Sequence, residues 1–151
     1  MGQDTDIKCF MVVKIGFFGN NKVYLKHTTE QNDPTDYSSL SSLVKTIPDK
    51  GGIIKTEEHG MLYAIKDKEY AYMVLVGNDY PENTAISLVQ NHHKLTSDKL
   101  LRKTHSNKSP DNMYKIICQY LEKKYREGVE PSIQVDFLNI DSPLFEAEDE
   151  K

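Results

Sequence analysis

GIIKTEEHGMLYAIKDKEYAYMVLVGNDYPENTAISLV, residues 52–89, is the stretch that decides the fold. Three short apolar runs come first: Ile53 to Thr56, Met61 to Ile65, and Tyr70 to Val76. They are rich in β-branched and aromatic residues and are parted by polar or glycine-containing breaks, so they read as strands. Asp67 and Lys68 separate the second and third runs by a length that suits a tight hairpin. The third run holds seven consecutive residues without a charge, which fits a central strand covered on both faces. After Gly77-Asn78-Asp79-Tyr80-Pro81 the period changes. Ala85, Leu88, Val89 and His92 fall at helical spacing, with Asp79 or Asn78 as the cap and Pro81 near the first turn. A meander of antiparallel strands therefore feeds directly into a helix.

Upstream, Ile7 to Phe18 (IKCFMVVKIGFF) is an apolar strand, and Gly19-Asn20-Asn21 is a turn. Lys22 to Thr28 alternates, with Val23, Leu25 and His27 on one side and Tyr24 and Lys26 on the other. Asp33-Pro34-Thr35-Asp36 opens a helix by cap, proline and acid. Its apolar stripe is Tyr37, Leu40, Leu43, Val44 and Ile47, its other face is mostly serine, and Pro48 stops it. Residues 1–6 are polar and expected to fray.

Downstream, Thr96 to Pro110 is a polar, basic surface loop with a helical extension around Asp98 to Lys103. Ser109-Pro110-Asp111 opens a third helix with the stripe Met113, Ile116, Ile117, Tyr120, Leu121 and Lys124. Lys123, Lys124 and Arg126 crowd its last turn, and Gly128 follows as its C-cap. Residues 7–128 make one domain, and residues 129–151 a linker or tail in which Pro131 and Pro143 flank isolated apolar residues. The expected fold is α+β and profilin-like. It is a five-stranded, mostly antiparallel sheet with one helix on one face and two on the other.

The chain has 151 residues and a net charge of -4, too mild to suggest nucleic acid or docking to an acidic membrane. No apolar run approaches the length of a membrane span. Cys9 and Cys118 lie inside apolar elements and read as free buried thiols of a reducing compartment. Gly2 sits where a myristoyl acceptor would, but Asp6 occupies the position that should hold Ser or Thr. His92 and His93 point about a hundred degrees apart on a helix, so they do not share one ion; exposed or edge-packed histidines are expected there. His27 and His59 fall in expected strands and His105 in the loop, with no nucleophile motif beside them. Glu57-Glu58, Asp67 and Glu69 read as solvated charge between strands. No catalytic residues, cofactor or metal are expected, and the chain reads as a protein that works through its surface.

The element order and the run Asn78-Asp79-Tyr80-Pro81, then Ala85, Ser87, Leu88 and Val89, resemble a longin domain. That is the amino-terminal domain of synaptobrevin-related vesicle SNAREs. His59-Gly60 and Tyr70-Ala71-Tyr72 ahead of Met73-Val74-Leu75-Val76 are similar to the family as well. The resemblance covers residues 7 to 127. It implies a regulatory interaction domain in membrane trafficking, on the cytosolic face of vesicles or endomembranes. Its partners would be its own SNARE segment and other SNARE or sorting and adaptor proteins. The sequence departs from the family in its long polar loop before the third helix. It also contains no SNARE heptads, no membrane span and no prenylation signal. The resemblance thus implies a domain of a longer protein, membrane-associated only through a further C-terminal segment, or a free-standing longin-like protein; the charged end at Lys151 favours the first.

The partner-binding groove is expected between the first helix and the strand that follows it: Leu40, Leu43, Val44, Ile47, Ile53 and Ile54. The resemblance places the binding role on Leu43, Val44, Ile53 and Ile54. Two other readings compete. One is a longin-like or roadblock-like subunit of a tethering, adaptor or GTPase-regulating complex. The other is a small enzyme on the same sandwich, for which the sequence assembles no convergent polar pocket.

Overall fold

The computed structural model describes residues 4–16, 21–29, 37–48, 50–56, 59–97 and 110–127. The Asp33 cap, the extension at 98–103, His105, Glu57-Glu58, Gly128 and the tail 129–151 lie outside the described residues.

Five strands follow the expected order: β1 (Ile7–Lys14), β2 (Lys22–Thr28), β3 (Gly51–Lys55), β4 (Met61–Lys66) and β5 (Tyr70–Val76). A helix (Tyr37–Thr46) lies between β2 and β3, and α1 (Glu82–Thr96) and α2 (Pro110–Arg126) follow β5. The sheet order is β2-β1-β5-β4-β3, and every pairing is antiparallel. This is the expected α+β architecture, with β5 near the centre as its uncharged run requires.

Alternation along the strands sends successive side chains to opposite faces. Cys9, Met11, Val13, Leu62, Ala64, Ala71, Met73 and Leu75 pack with Tyr37, Leu40, Val44 and Ile47 from the helix after β2. Phe10, Val12, Leu25, Tyr63, Tyr72, Val74 and Val76 pack with residues of α1 and α2. Ile7 shares parity with Cys9 yet joins the second cluster, because the β1–β5 register shifts between Ile7 and Cys9.

Three local expectations change. The helix after β2 is a 3₁₀ helix of ten residues, longer than such helices usually run. Its serines and threonine explain part of this. Ser42 Oγ donates to the Ser39 carbonyl at 2.8 Å, and Thr46 Oγ1 to the Leu43 carbonyl at 2.7 Å. These three-residue hydroxyl bonds draw carbonyls away from a regular α-helical ladder. At its C-terminal end, Lys66 Nζ of β4 donates to the carbonyls of Val44 (3.4 Å) and Ile47 (3.2 Å). A cation at the negative end of the helix suits the dipole.

Second, residues 4–6 are pinned instead of frayed. The amide of Asp4 donates to Asp79 Oδ2 at 2.8 Å, Asp79 N to the Asp4 carbonyl at 2.9 Å, and Gly77 N to the Asp6 carbonyl at 2.8 Å. Asp79 is thereby spent on the N-terminal segment. The N-cap position of α1 is Pro81, with no side-chain cap. A Cβ at Gly77 would run into the Asp4 carbonyl, so only glycine admits this staple.

Third, the β4–β5 reversal turns over Lys68 and Glu69. Asp67 Oδ1 accepts from the amides of Glu69 and Tyr70, both at 2.8 Å. Asp67 is a turn-forming residue and not merely a solvated acid.

Candidate functional site: the β3 edge and its flanks

β3 ends the sheet, pairing with β4 alone among the described residues. Thr56 N bonds the Gly60 carbonyl and Lys66 N bonds the Lys50 carbonyl. Antiparallel alternation then turns the backbone groups of Gly52 and Ile54 toward β4, and those of Gly51, Ile53 and Lys55 outward. An outward row of this kind is a template for a further strand.

The strand divides the six expected groove residues. Leu40, Val44 and Ile47 are buried under the 3₁₀ helix, and Leu43 and Ile54 pack half-buried against the same cluster. Ile53 cannot join them, because neighbours in a strand face opposite ways. It lies on the other side of the sheet, 42% exposed, at a depression of about 270 Å³ between β3, β4 and α1. Gly51, Gly52, Tyr63, Ile65, Ile86 and Val89 contribute to its lining. Sequence reasoning missed this flank. The apolar spacing of α1 was visible, but which strand its outer edge overhangs follows only from the sheet order.

A second depression, of about 530 Å³, opens at the end of the sheet where α2 finishes. Thr5, Asp6, Ile7, Tyr80, Pro81, Thr84, Tyr125 and Arg126 line it. Beneath it, Tyr125 Oη bonds Ser87 Oγ and accepts from Asn91 Nδ2, both at 2.7 Å.

Between the sheet and the helices lies a buried aromatic and polar layer. His92 is fully buried, contrary to the exposed or edge-packed placement expected of it. Its Nε2 bonds Tyr114 Oη at 2.7 Å, and its ring lies 5.5 Å from that of Phe10. Burial, helped by the nearby His93, drives its pKa down to about 3, so His92 is neutral. His93 is half-buried with its ring 4.6 Å from Tyr72. His27 is in β2 as expected, its pKa lowered by burial and by Lys115; His59 stands in the bend before β4 and not in a strand. Burial also raises the Tyr114 hydroxyl and the Cys118 thiol. Cys9 and Cys118 are free and buried. The stripe of α2 centres on Tyr114, Ile117, Cys118, Leu121 and Tyr125, with Met113, Ile116 and Tyr120 at its margins. His92, Tyr114 and Cys118 of this layer are fully buried, and burial favours the neutral form of each.

Among the described residues, no group of three or more His, Cys, Asp or Glu side chains is placed to hold a metal. Among them, too, no helix is long and apolar enough to cross a membrane. No family model and no curated protein matches the chain.

Proposed function

We propose that this chain is a longin-like interaction domain acting in vesicle-mediated membrane traffic, which captures SNARE-core segments or sorting partners through the β3 side of its sheet. The observation that carries this reading is the five-stranded antiparallel sheet, clad by helices, whose strand β3, outermost among the described residues, has half-buried Leu43 and Ile54 along one flank. An amphipathic helix needs such a seam to bury its apolar face, and an extended segment needs the outward amides of β3. Binding would operate as a two-state device: a segment bound to the domain is withheld from pairing elsewhere.

The test is titration of the full chain with a labelled vesicle-type SNARE-core peptide. Leu43→Gln should weaken binding at least tenfold in a domain that still unfolds cooperatively, with a melt lowered by the loss of its half-buried packing; equal binding would sink the groove. Val44 is unsuitable for this test, because it is 1% exposed and a polar group there would unfold the domain. The second reading is a subunit of a tethering or adaptor complex, favoured by the exposed Ile53 on the outermost described strand. It gains if the peptide does not bind and a stable partner subunit co-purifies.

A further inference from the structure

We infer that the depression between β3, β4 and α1 is the seat of a tryptophan side chain supplied by a partner protein, its indole N–H donated to Tyr63 Oη. The hollow follows from the start of β3, which is two glycines. The register sets Gly51 beside Ile65 and Ile53 beside Tyr63. On the α1 side of the sheet, position 51 therefore contributes no side chain where Ile53 contributes one. Nor is another residue admitted there: Gly51 has φ +142°, and a Cβ would run into the Ala64 carbonyl. Ile86 and Val89, one turn of α1, wall the hollow with apolar side chains.

Tyr63 supplies the polar group. It is 3% exposed and lines the depression. Its hydroxyl makes no hydrogen bond among the described residues, yet it keeps access to the surface. The hydroxyl of so buried a tyrosine is normally paired. With the ring packed in the core, the hydroxyl reaches open space through the hollow. Burial first, and then the Glu82 carboxylate, raise its pKa, so it is a neutral phenol able to accept from an N–H.

Size and chemistry together select the occupant. A cavity of about 150 Å³ takes one benzene ring. This one, of about 270 Å³, has room for two fused rings. It falls short of the roughly 300 Å³ at which sites for free small ligands begin. An aliphatic side chain or a phenylalanine leaves Tyr63 Oη unpaired, and a lysine or arginine brings a charge against Ile53, Ile65, Ile86 and Val89. Indole is a double ring with one donor and no acceptor. Charge is complementary as well: Lys50 stands exposed at the rim, and a lysine ammonium is best matched by the negative face of indole. The ring also covers Ile53, which is 42% exposed, and the bare backbone of Gly51. This chain contains no tryptophan, so the anchor comes from a different protein and not from a second copy. A tryptophan set in a desolvated pocket is the usual form of an interface hot spot.

The seat lies on the opposite side of the sheet from Leu43 and Ile54 and does not depend on SNARE-peptide capture. The test uses the full chain and two probes, N-acetyltryptophanamide and its naphthylalanine counterpart, which has two rings and no N–H. Because the chain has no tryptophan, indole emission reports the first probe alone, and amide NMR shifts report where either probe binds. Expected is saturable binding of N-acetyltryptophanamide that shifts the Ile53, Ile65 and Ile86 amides and leaves Leu43 and Val44 in place. It should be about fivefold tighter than the naphthylalanine probe, the worth of one hydrogen bond between neutral groups. In Tyr63→Phe that preference should vanish with the melt unchanged, since the hydroxyl has no protein partner to lose. Ile53→Asp, which sets a carboxylate beside the ring, should weaken both probes. Leu43→Gln should bind both as the parent does, which separates this seat from the proposed SNARE groove. Absence of saturable binding, equal affinity for the two probes in the parent chain, or shifts confined to other residues overturn the proposal. So do Ile53 and Ile65 shifts that grow with chain concentration without probe, because a second copy then fills the seat.

Discussion

His92 shows what one residue commits the molecule to. Buried and bonded to Tyr114 Oη, it stays neutral in the folded chain down to about pH 3. In the unfolded chain it takes a proton below about pH 6.5. The unfolded state therefore binds more protons as pH falls through that window, and stability drops by up to about 1.4 kcal/mol per pH unit. His27, also lowered, adds in the same direction. Thermal melts should fall between pH 7 and pH 5, above the carboxylate range, and His92→Gln should flatten that slope. Tyr114→Phe leaves His92 Nε2 without its partner and should cost about 1–3 kcal/mol in denaturant unfolding. At this scale the sequence was partly legible. The helical phase of His92 placed it beside Leu88, but a histidine is read as polar until the tyrosine that satisfies it is found on another helix. Asp79 misleads for a similar reason: an acid before a helix suggests a cap, and only the fold brings Asp4 within reach of it.

The elements themselves were more legible, because periods of two and near four survive local noise. What periodicity could not specify was the kind of helix after β2. A stripe at Leu40, Leu43, Val44 and Ile47 suits three or four residues per turn alike, and the hydroxyl bonds within Ser39–Thr46 favour the tighter form. Lys66 ties that helix to β4 through the carbonyls of Val44 and Ile47. Lys66→Met should lower stability by about 1–3 kcal/mol, read from denaturant unfolding, the usual range for losing hydrogen bonds from a charged donor. Leu88 in α1 is fully buried against the sheet, and Leu88→Ala should cost about 2–5 kcal/mol, also read from denaturant unfolding.

At the scale of the whole molecule, the proposed function rests on how the sheet is ordered. With β3 outermost among the described strands, one edge of the sheet carries outward amides, a half-buried seam on one flank and an apolar depression on the other. Ile53→Asp tests the second flank without touching the core. The melt should stay within about 2 °C of the parent, since surface changes typically shift stability by no more than about 0.5 kcal/mol. The sequence anticipated a groove of six residues as one surface. Two consecutive strand residues cannot share a face, so Ile53 and Ile54 serve different sides.

From the sequence alone came the strands, the helices, their order and the α+β class. These follow from the spacing of apolar residues, which is a property of each segment by itself. The tertiary structure decided which strand lies outermost among the described residues, that His92 lies inside, that Asp79 holds the N-terminal segment, and that the expected groove divides between two flanks. Each of those depends on residues far apart in the chain meeting across the sheet, and no local period encodes such a meeting.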